Sequence, residues 1–258
     1  MPIHSTAIVD PAARIDGTAI VGPFCVIGAE VEIGARTELK AHVYCEGPTW
    51  IGEDNLFYPY ASVGVASQDL KYKGERAETH IGARNKIREF VTIHRGTEGG
   101  GLKTSIGDDN LLMAYTHVAH DVQLGSHCVL ANAVTLAGHV VIGDWAVIGA
   151  FTGVHQFCRI GRHAMIGGYS VITQDVMPFA TIVTPRESKA FGANATGLER
   201  RGFAPGVVED LQIALRLLTR GKLNTSQAIE KIRADLPAHA EIEELIAFIQ
   251  SSERGIIK

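Results

Sequence analysis

From Ile106 to Ile172 the chain reads, in groups of six, IGDDNL LMAYTH VAHDVQ LGSHCV LANAVT LAGHVV IGDWAV IGAFTG VHQFCR IGRHAM IGGYSV I. Every group opens on Ile, Leu or Val, twelve times without exception. With hydrophobic residues at 46% of the chain, such a run would arise by chance roughly once in ten thousand trials. The residue after each opening is Gly or Ala in nine of twelve cases, with Met113, His155 and Thr173 the exceptions. Four places after each opening stand small or β-branched residues, from Asn110 and Thr116 through Cys158 and Ser170, which suit short strands and tight turns. A six-residue period belongs to neither an amphipathic helix nor a simple alternating strand. It predicts a parallel β-helix, three groups to a triangular coil of eighteen residues, with successive coils about 4.8 Å apart.

Outward from this stretch, the same column runs backward through Ile93, Ile87 and Ile81 to Ile3, slipping by one residue at the Gly-rich segment Gly96–Gly101. Residues 3–183 should then form about ten coils. The polar segment Ser67–His80 leaves the phase intact, because Val63 to Ile81 is eighteen residues, and is expected to replace the outer corners of one coil. Beyond Pro185 the period becomes helical. Val207, Val208, Leu211, Leu215 and Leu218 share a face that Gly221 should end. Asn224 or Thr225 can cap a second helix bearing Ile229, Ile232 and Leu236, and a third carries Ile242, Leu245, Ile246 and Ile249. The reading is a mainly β chain: a β-helix domain over residues 1–188 and a helical domain over 189–258 that closes one end, as solenoids require.

The 258 residues carry 24 Lys and Arg against 28 Asp and Glu, which argues against a nucleic-acid-binding surface. No apolar run is long enough for membrane insertion, and the N-terminus has no secretory pattern. Cys25, Cys45, Cys128 and Cys158 form no CxxC pair and fall on the inward columns. They read as buried thiols of a cytoplasmic protein.

Histidines gather at His117, His120, His127, His139, His155 and His163. Adding eighteen to 120 gives Gly138, and again Gln156; Asp121 likewise stacks on His139. An imidazole beside a backbone N–H with no intervening side chain suits acyl transfer. The base takes a proton from an attacking hydroxyl and the N–H steadies the oxyanion. Asp121 could hold the ring. His155 breaks the Gly/Ala column, and departures from a strict repeat are where function is expected. His127 and His163 read as exposed corner residues. A zinc site from His117, His120 and His139 or His155 is the competing chemistry, as in β-helical carbonic anhydrases. Gln68, Asp69 and Lys71 could orient a polar sugar. Arg200 and Arg201, at the junction with the helices, suit phosphate contacts.

At Gln68-Asp69-Leu70-Lys71-Tyr72, Thr92-Ile93-His94-Arg95-Gly96-Thr97, Asp109-Asn110-Leu111-Leu112-Met113, His117-Val118-Ala119-His120-Asp121, Leu136-Ala137-Gly138-His139-Val140, Val154-His155-Gln156-Phe157 and Arg200-Arg201-Gly202-Phe203 the chain resembles the UDP-N-acetylglucosamine acyltransferases of lipid A synthesis, and the likeness extends end to end. The resemblance implies a left-handed β-helix, against the general preference for right-handed crossovers. It also implies a homotrimer with active sites between subunits. The implied reaction carries an (R)-3-hydroxyacyl group from acyl carrier protein to the 3-OH of UDP-N-acetylglucosamine, with neither metal nor bound cofactor. His120 matches the general base and Gly138 the oxyanion N–H. Asp69 and Lys71 match glucosamine and donor contacts, and His117, His139 and Gln156 match sugar, phosphate or pantetheine contacts. Asn194 and Arg200 match contacts at the nucleotide end. Gly167 and Gly168, one to two coils past Gly138 and Gln156, are expected to line the acyl groove. Thr196 stands where the family often has an acidic residue, and Thr184–Lys189 also departs from its pattern. The related N-acyltransferase shares the β-helix but carries an extra N-terminal domain, for which a repeat starting at Ile3 leaves no room. A non-catalytic trimeric scaffold would leave the histidine column without a purpose.

Overall fold

A computed structural model describes residues 3–183, 189–220 and 223–257. Its body is a three-sided prism of very short parallel strands, each pairing with the strand one coil away. The first face has nine strands, from Ile8–Val9 to Val171–Ile172, and the second has eight, from Arg14–Ile15 to Arg159–Ile160. The third has ten, running from Ile20–Val21 through Met165–Ile166 to Ala180–Val183 and the antiparallel Lys189–Ala193. The expected eighteen-residue register holds wherever the repeat is plain: Val118 lies beside Leu136 and Leu136 beside Val154. The column of openings is the core, with Leu112, Val118, Leu130, Leu136 and Ile166 fully buried.

Two coils differ from the sequence expectation. Val63 pairs with Ile93, thirty residues on, and Ile51 with Ile81. The polar segment is therefore an insertion of two hexapeptide lengths, which is why it leaves the six-residue phase undisturbed; it does not replace a coil. Strands Ser62–Val65 and Glu78–Ile81 end and resume the body around it. The next coil is also long, with Ile81 beside Ile106. Both insertions leave at the edge between the first and second faces, on adjacent coils.

The corners explain where the aromatic residues went. Among the described residues twenty-one non-glycine residues have positive φ, and most recur every six positions, three after each opening: Asp109, Tyr115, Asp121, His127 and onward to Tyr169. Each left-handed residue costs about 1–2 kcal/mol. The cost is offset by side chains that stack coil upon coil at the edges. Phe24, His42, Tyr60, Phe90 and Tyr115 stack in series between the third and first faces, with ring centroids 4.9–5.1 Å apart. Such ring pairs contribute about 0.5–1.5 kcal/mol each beyond their burial. Between the second and third faces Arg36 pairs with Asp54, and Arg84 with Asp109.

The C-terminal segment forms α1 (Ala195–Arg200), α2 (Pro205–Arg220), α3 (Thr225–Asp235) and α4 (Ala240–Gln250). The last three match the expected apolar faces. Asn224 caps α3, its side chain accepting from the Gln227 N–H while Gln227 reaches back. Gly221 as a helix stop and the departure at Thr184–Ser188 lie outside the described residues. Arg162 pairs with Glu244, and Arg159 lies over the Phe248 ring, fastening α4 to the last coils. No helix among the described residues is long and apolar enough to cross a membrane. All four cysteines are buried and free, and burial raises their thiol pKa values.

Candidate active site

The edge that carries both insertions also carries the chemistry. His120 and Asp121 follow the first-face strand His117–Val118, and Gly138 and His139 occupy the same places one coil on. A Cβ built on Gly138 would lie 2.4 Å from His120 Cε1 and 2.5 Å from Nε2, so the imidazole fills the space that a side chain would need. The stacking arithmetic therefore holds. Among the described residues the Gly138 N–H donates to no protein acceptor, which leaves it available to a ligand.

Asp121 does more than the sequence suggested. Its carboxylate is buried and sits 2.8 Å from His120 Nδ1 through Oδ2. It also accepts from the Thr97 N–H at 2.9 Å and from Thr97 Oγ1 at 2.5 Å. Thr97 belongs to the second insertion, whose 3-10 turn Glu98–Gly100 folds over the carboxylate; a Cβ on Gly100 would strike Asp121 Cγ at 2.0 Å. With Thr97 donating to it, the Asp121 carboxylate serves as the acceptor for a proton on His120 Nδ1, which makes Nε2 the lone-pair nitrogen.

A cleft of about 540 Å³ opens here, lined by Gln68, Asp69, Lys71, His117, His120, Gly138, His139 and Gln156. His94, which sequence reasoning passed over, lines it too. Its signal was the break that it makes in a buried strand end, since it sits beside the first insertion at the edge of the ladder. His94 is buried, its Nδ1 has no partner, and burial pushes its pKa down to about 4. Its ring meets His117 edge-on at 4.8 Å, and His117 Nδ1 is 2.7 Å from Thr92 Oγ1. Burial also lowers the pKa of His117 and, with a smaller opposing pull from Asp121, that of His139. His139 is stacked on Phe157 at 4.4 Å. His94, His117 and His139 thus wall the cleft with imidazoles whose burial disfavours the charged form, suited to hydrogen bonding with sugar hydroxyls and amides.

Other expected residues lie elsewhere. His155 is exposed, with Nδ1 3.1 Å from the Gln156 carbonyl, and does not line the cleft. Gly167 and Gly168 are between one and two coils higher but at the edge between the third and first faces, beyond Met165–Ile166; eighteen-residue steps from Gly138 reach Gln156 and then Gln174. Asn194, Arg200 and Arg201 do converge, with Thr196 and Gly197, on a second pocket of about 360 Å³ against the third-face residues Val147 and Met165. That wall carries the Thr196 hydroxyl where the resemblance would have placed a carboxylate. His163, expected at an exposed corner, is instead buried among Trp145, Phe179 and Phe203, and burial lowers its pKa to about 4. Among the described residues the group able to hold a metal is His120, Asp121 and His139 rather than a set with His117 or His155. In that group Asp121 is already engaged by Thr97 and His120.

Residues 103–138 and 139–174 match the model of the bacterial transferase hexapeptide (six repeats), and residues 175–257 match the second domain of UDP-N-acetylglucosamine O-acyltransferase. The acyl-[acyl-carrier-protein]–UDP-N-acetylglucosamine O-acyltransferase of Burkholderia lata is 46% identical over 99% of both chains. The chain belongs to this acyltransferase family. The enzyme of the same description from Thermodesulfovibrio yellowstonii is also 46% identical over 99% of both chains. A solved UDP-N-acetylglucosamine acyltransferase from Bacteroides fragilis superposes with a TM-score of 0.97 at 39% identity, over 99% of this chain and 100% of that one. The family fold makes the prism a left-handed parallel β-helix, so the coil runs against the usual crossover hand.

Proposed function

We propose that the chain transfers an (R)-3-hydroxyacyl group from the phosphopantetheine thioester of acyl carrier protein to the 3-hydroxyl of UDP-N-acetylglucosamine, with His120 as the general base. The observation that carries this reading is the His120–Asp121 pair set directly against the Gly138 backbone. His120 Nε2 takes the proton of the 3-hydroxyl as its oxygen attacks the thioester carbonyl carbon. The Gly138 N–H donates to the resulting oxyanion. Collapse breaks the carbon–sulfur bond, and the imidazolium returns its proton to the departing thiolate. Asp121 holds the ring and steadies its positive charge meanwhile. Base catalysis of this kind is worth about 10²–10⁴ in rate, and one oxyanion donor about 3 kcal/mol. Asp69, Lys71, Gln68, His117, His139 and Gln156 surround the reacting centre and bind glucosamine and pantetheine. No group beyond the chain's own residues and the two substrates enters these steps.

The working unit in this reading is a trimer. The nucleotide-end residues Asn194, Arg200 and Arg201 lie on the third face, away from the edge that holds His120, so one substrate spans both only where two copies meet. The third face also turns Leu56, Leu111, Val129, Val147 and Met165 outward, an apolar stripe suited to a neighbouring copy. We place the reaction in the cytoplasm, in keeping with four buried free thiols.

Mass spectrometry of the product from UDP-N-acetylglucosamine and a panel of acyl-carrier-protein donors tests the reaction. An alkali-labile ester is expected, and an amide or no product would overturn it. His120→Ala should fold and trimerise yet lose at least about a hundredfold in kcat; retention of a tenth of the wild-type rate would remove the base.

A further inference from the structure

We propose that Trp145 is a positioning residue for the nucleotide sugar, acting through Arg201. This rests on the reading of the Asn194–Arg201 pocket as the seat of the nucleotide end. Trp145 is not in that pocket's wall but directly behind it. The Arg201 Cζ lies 5.1 Å from the centre of the indole. Among the described residues no carboxylate pairs with Arg201, whose one side-chain hydrogen bond runs from Nη1 to the Gly197 carbonyl at 3.3 Å. The aromatic face is therefore the principal support of a half-buried guanidinium, and the donors of its fork stay free for a phosphate oxygen. Burial lowers the Arg201 pKa, so the free cation is held at a desolvation cost that an incoming anion would relieve.

The platform is itself fixed. Trp145 has φ of +64° at a coil corner, its N–H donating to the Ser126 carbonyl at 2.9 Å. Its ring is parallel to His127 at 4.0 Å on one side and to His163 at 6.0 Å on the other. The next ring in that stack anchors the second pocket residue, because the His163 carbonyl accepts from Asn194 Nδ2 at 3.1 Å. Two consecutive corners of the repeat thus hold the two polar arms of the pocket, Arg201 through an indole face and Asn194 through a backbone carbonyl. A stack that elsewhere supports only the prism here sets the aim of a ligand-binding arginine.

Binding of UDP-N-acetylglucosamine by calorimetry, together with steady-state kinetics, tests this in a double-mutant cycle on the intact trimer. Trp145→Ala should weaken nucleotide-sugar binding about three- to tenfold and raise its KM alike. The kcat and the KM of the acyl donor should not change. Trp145→Phe, which keeps a smaller face and the stack, should recover part of the loss. In an Arg201→Ala background Trp145→Ala should add nothing. A loss equal in both backgrounds, or none in either, would overturn the role of Trp145. Arg201→Ala with unaltered nucleotide-sugar affinity would instead overturn the reading of the pocket. If Trp145→Ala fails to trimerise, the cycle is run with Trp145→Phe, and the same additivity decides it.

Discussion

The ring of His120 occupies the volume that any side chain at position 138 would claim, since a methyl group there would lie 2.4 Å from Cε1. Gly138 is not at a positive φ, so alanine is allowed there by the backbone and excluded only by the imidazole. Gly138→Ala is therefore expected to retain its fold and melting temperature while displacing His120 and lowering kcat by at least about a hundredfold. A variant melting as wild type and turning over within a factor of three would show that the ring has room to move.

Asp121 is the second point of attack. Asn at this position offers one oxygen to three donors, the His120 Nδ1–H and the two groups of Thr97. Its amide nitrogen would face at least one of them. Asp121→Asn should favour the wrong imidazole tautomer and lower kcat about a hundredfold, with little change in the KM of the nucleotide sugar. Equal losses in kcat and in substrate affinity would make Asp121 a residue of the cleft wall rather than the partner of the base.

Much of this was legible because a solenoid turns sequence spacing directly into spatial adjacency. The Ile106-to-Ile172 column gave the coil, and the eighteen-residue step placed Gly138 and Asp121 correctly against their neighbours. The same arithmetic failed where residues were inserted in multiples of six: Val63 and Ile81 kept phase while standing on different faces. Gly168 shares the six-residue phase of Gly138 but not its eighteen-residue step, and the phase alone does not state which of three edges a corner belongs to. The corner column points outward, which predicts an exposed His163; the packing of Phe203 from beyond the repeat, together with Trp145 and Phe179, buries it. The insertion that seats Asp121 has no repeat at all, so the grip of Thr97 on the carboxylate was invisible from spacing.

Two buried histidines make the fold sensitive to acid. His94 and His163 have pKa values lowered by burial to about 4, against 6.5 for an open chain. Between these values the unfolded chain binds protons that the folded one refuses. Stability therefore falls as pH drops below about 6.5 and the loss is complete near 4, on the order of 2–3 kcal/mol for each group. His163→Phe keeps a ring between Trp145 and Phe179 and removes one of the two penalties. Urea unfolding at pH 7 and pH 5 should show a smaller acid loss for the variant than for wild type. Parallel losses in the two proteins would mean that His163 becomes protonated in the folded state without cost.

The length of the acyl chain is the last quantity that the geometry addresses. Gly167 and Gly168 stand between one and two coils above Gly138 but on another edge, so they can border an acyl groove only if it is formed with a neighbouring copy. Gly168 is exposed, and a Cβ there would approach the Ala150 backbone, nearest its carbonyl oxygen at 3.0 Å, which a small shift accommodates. With no side chain at either position, the groove would stay open to a long hydroxyacyl tail. Each buried methylene contributes about 0.8 kcal/mol, so four of them give a preference of roughly a hundredfold. Gly168→Met should keep the wild-type oligomeric state and shift selection toward shorter donors when donors of several lengths compete in one assay. A wild-type preference for ten carbons or fewer would contradict an open groove. An unchanged length preference in Gly168→Met would show that the tail lies elsewhere, even with His120, Asp121 and Gly138 in the roles assigned to them.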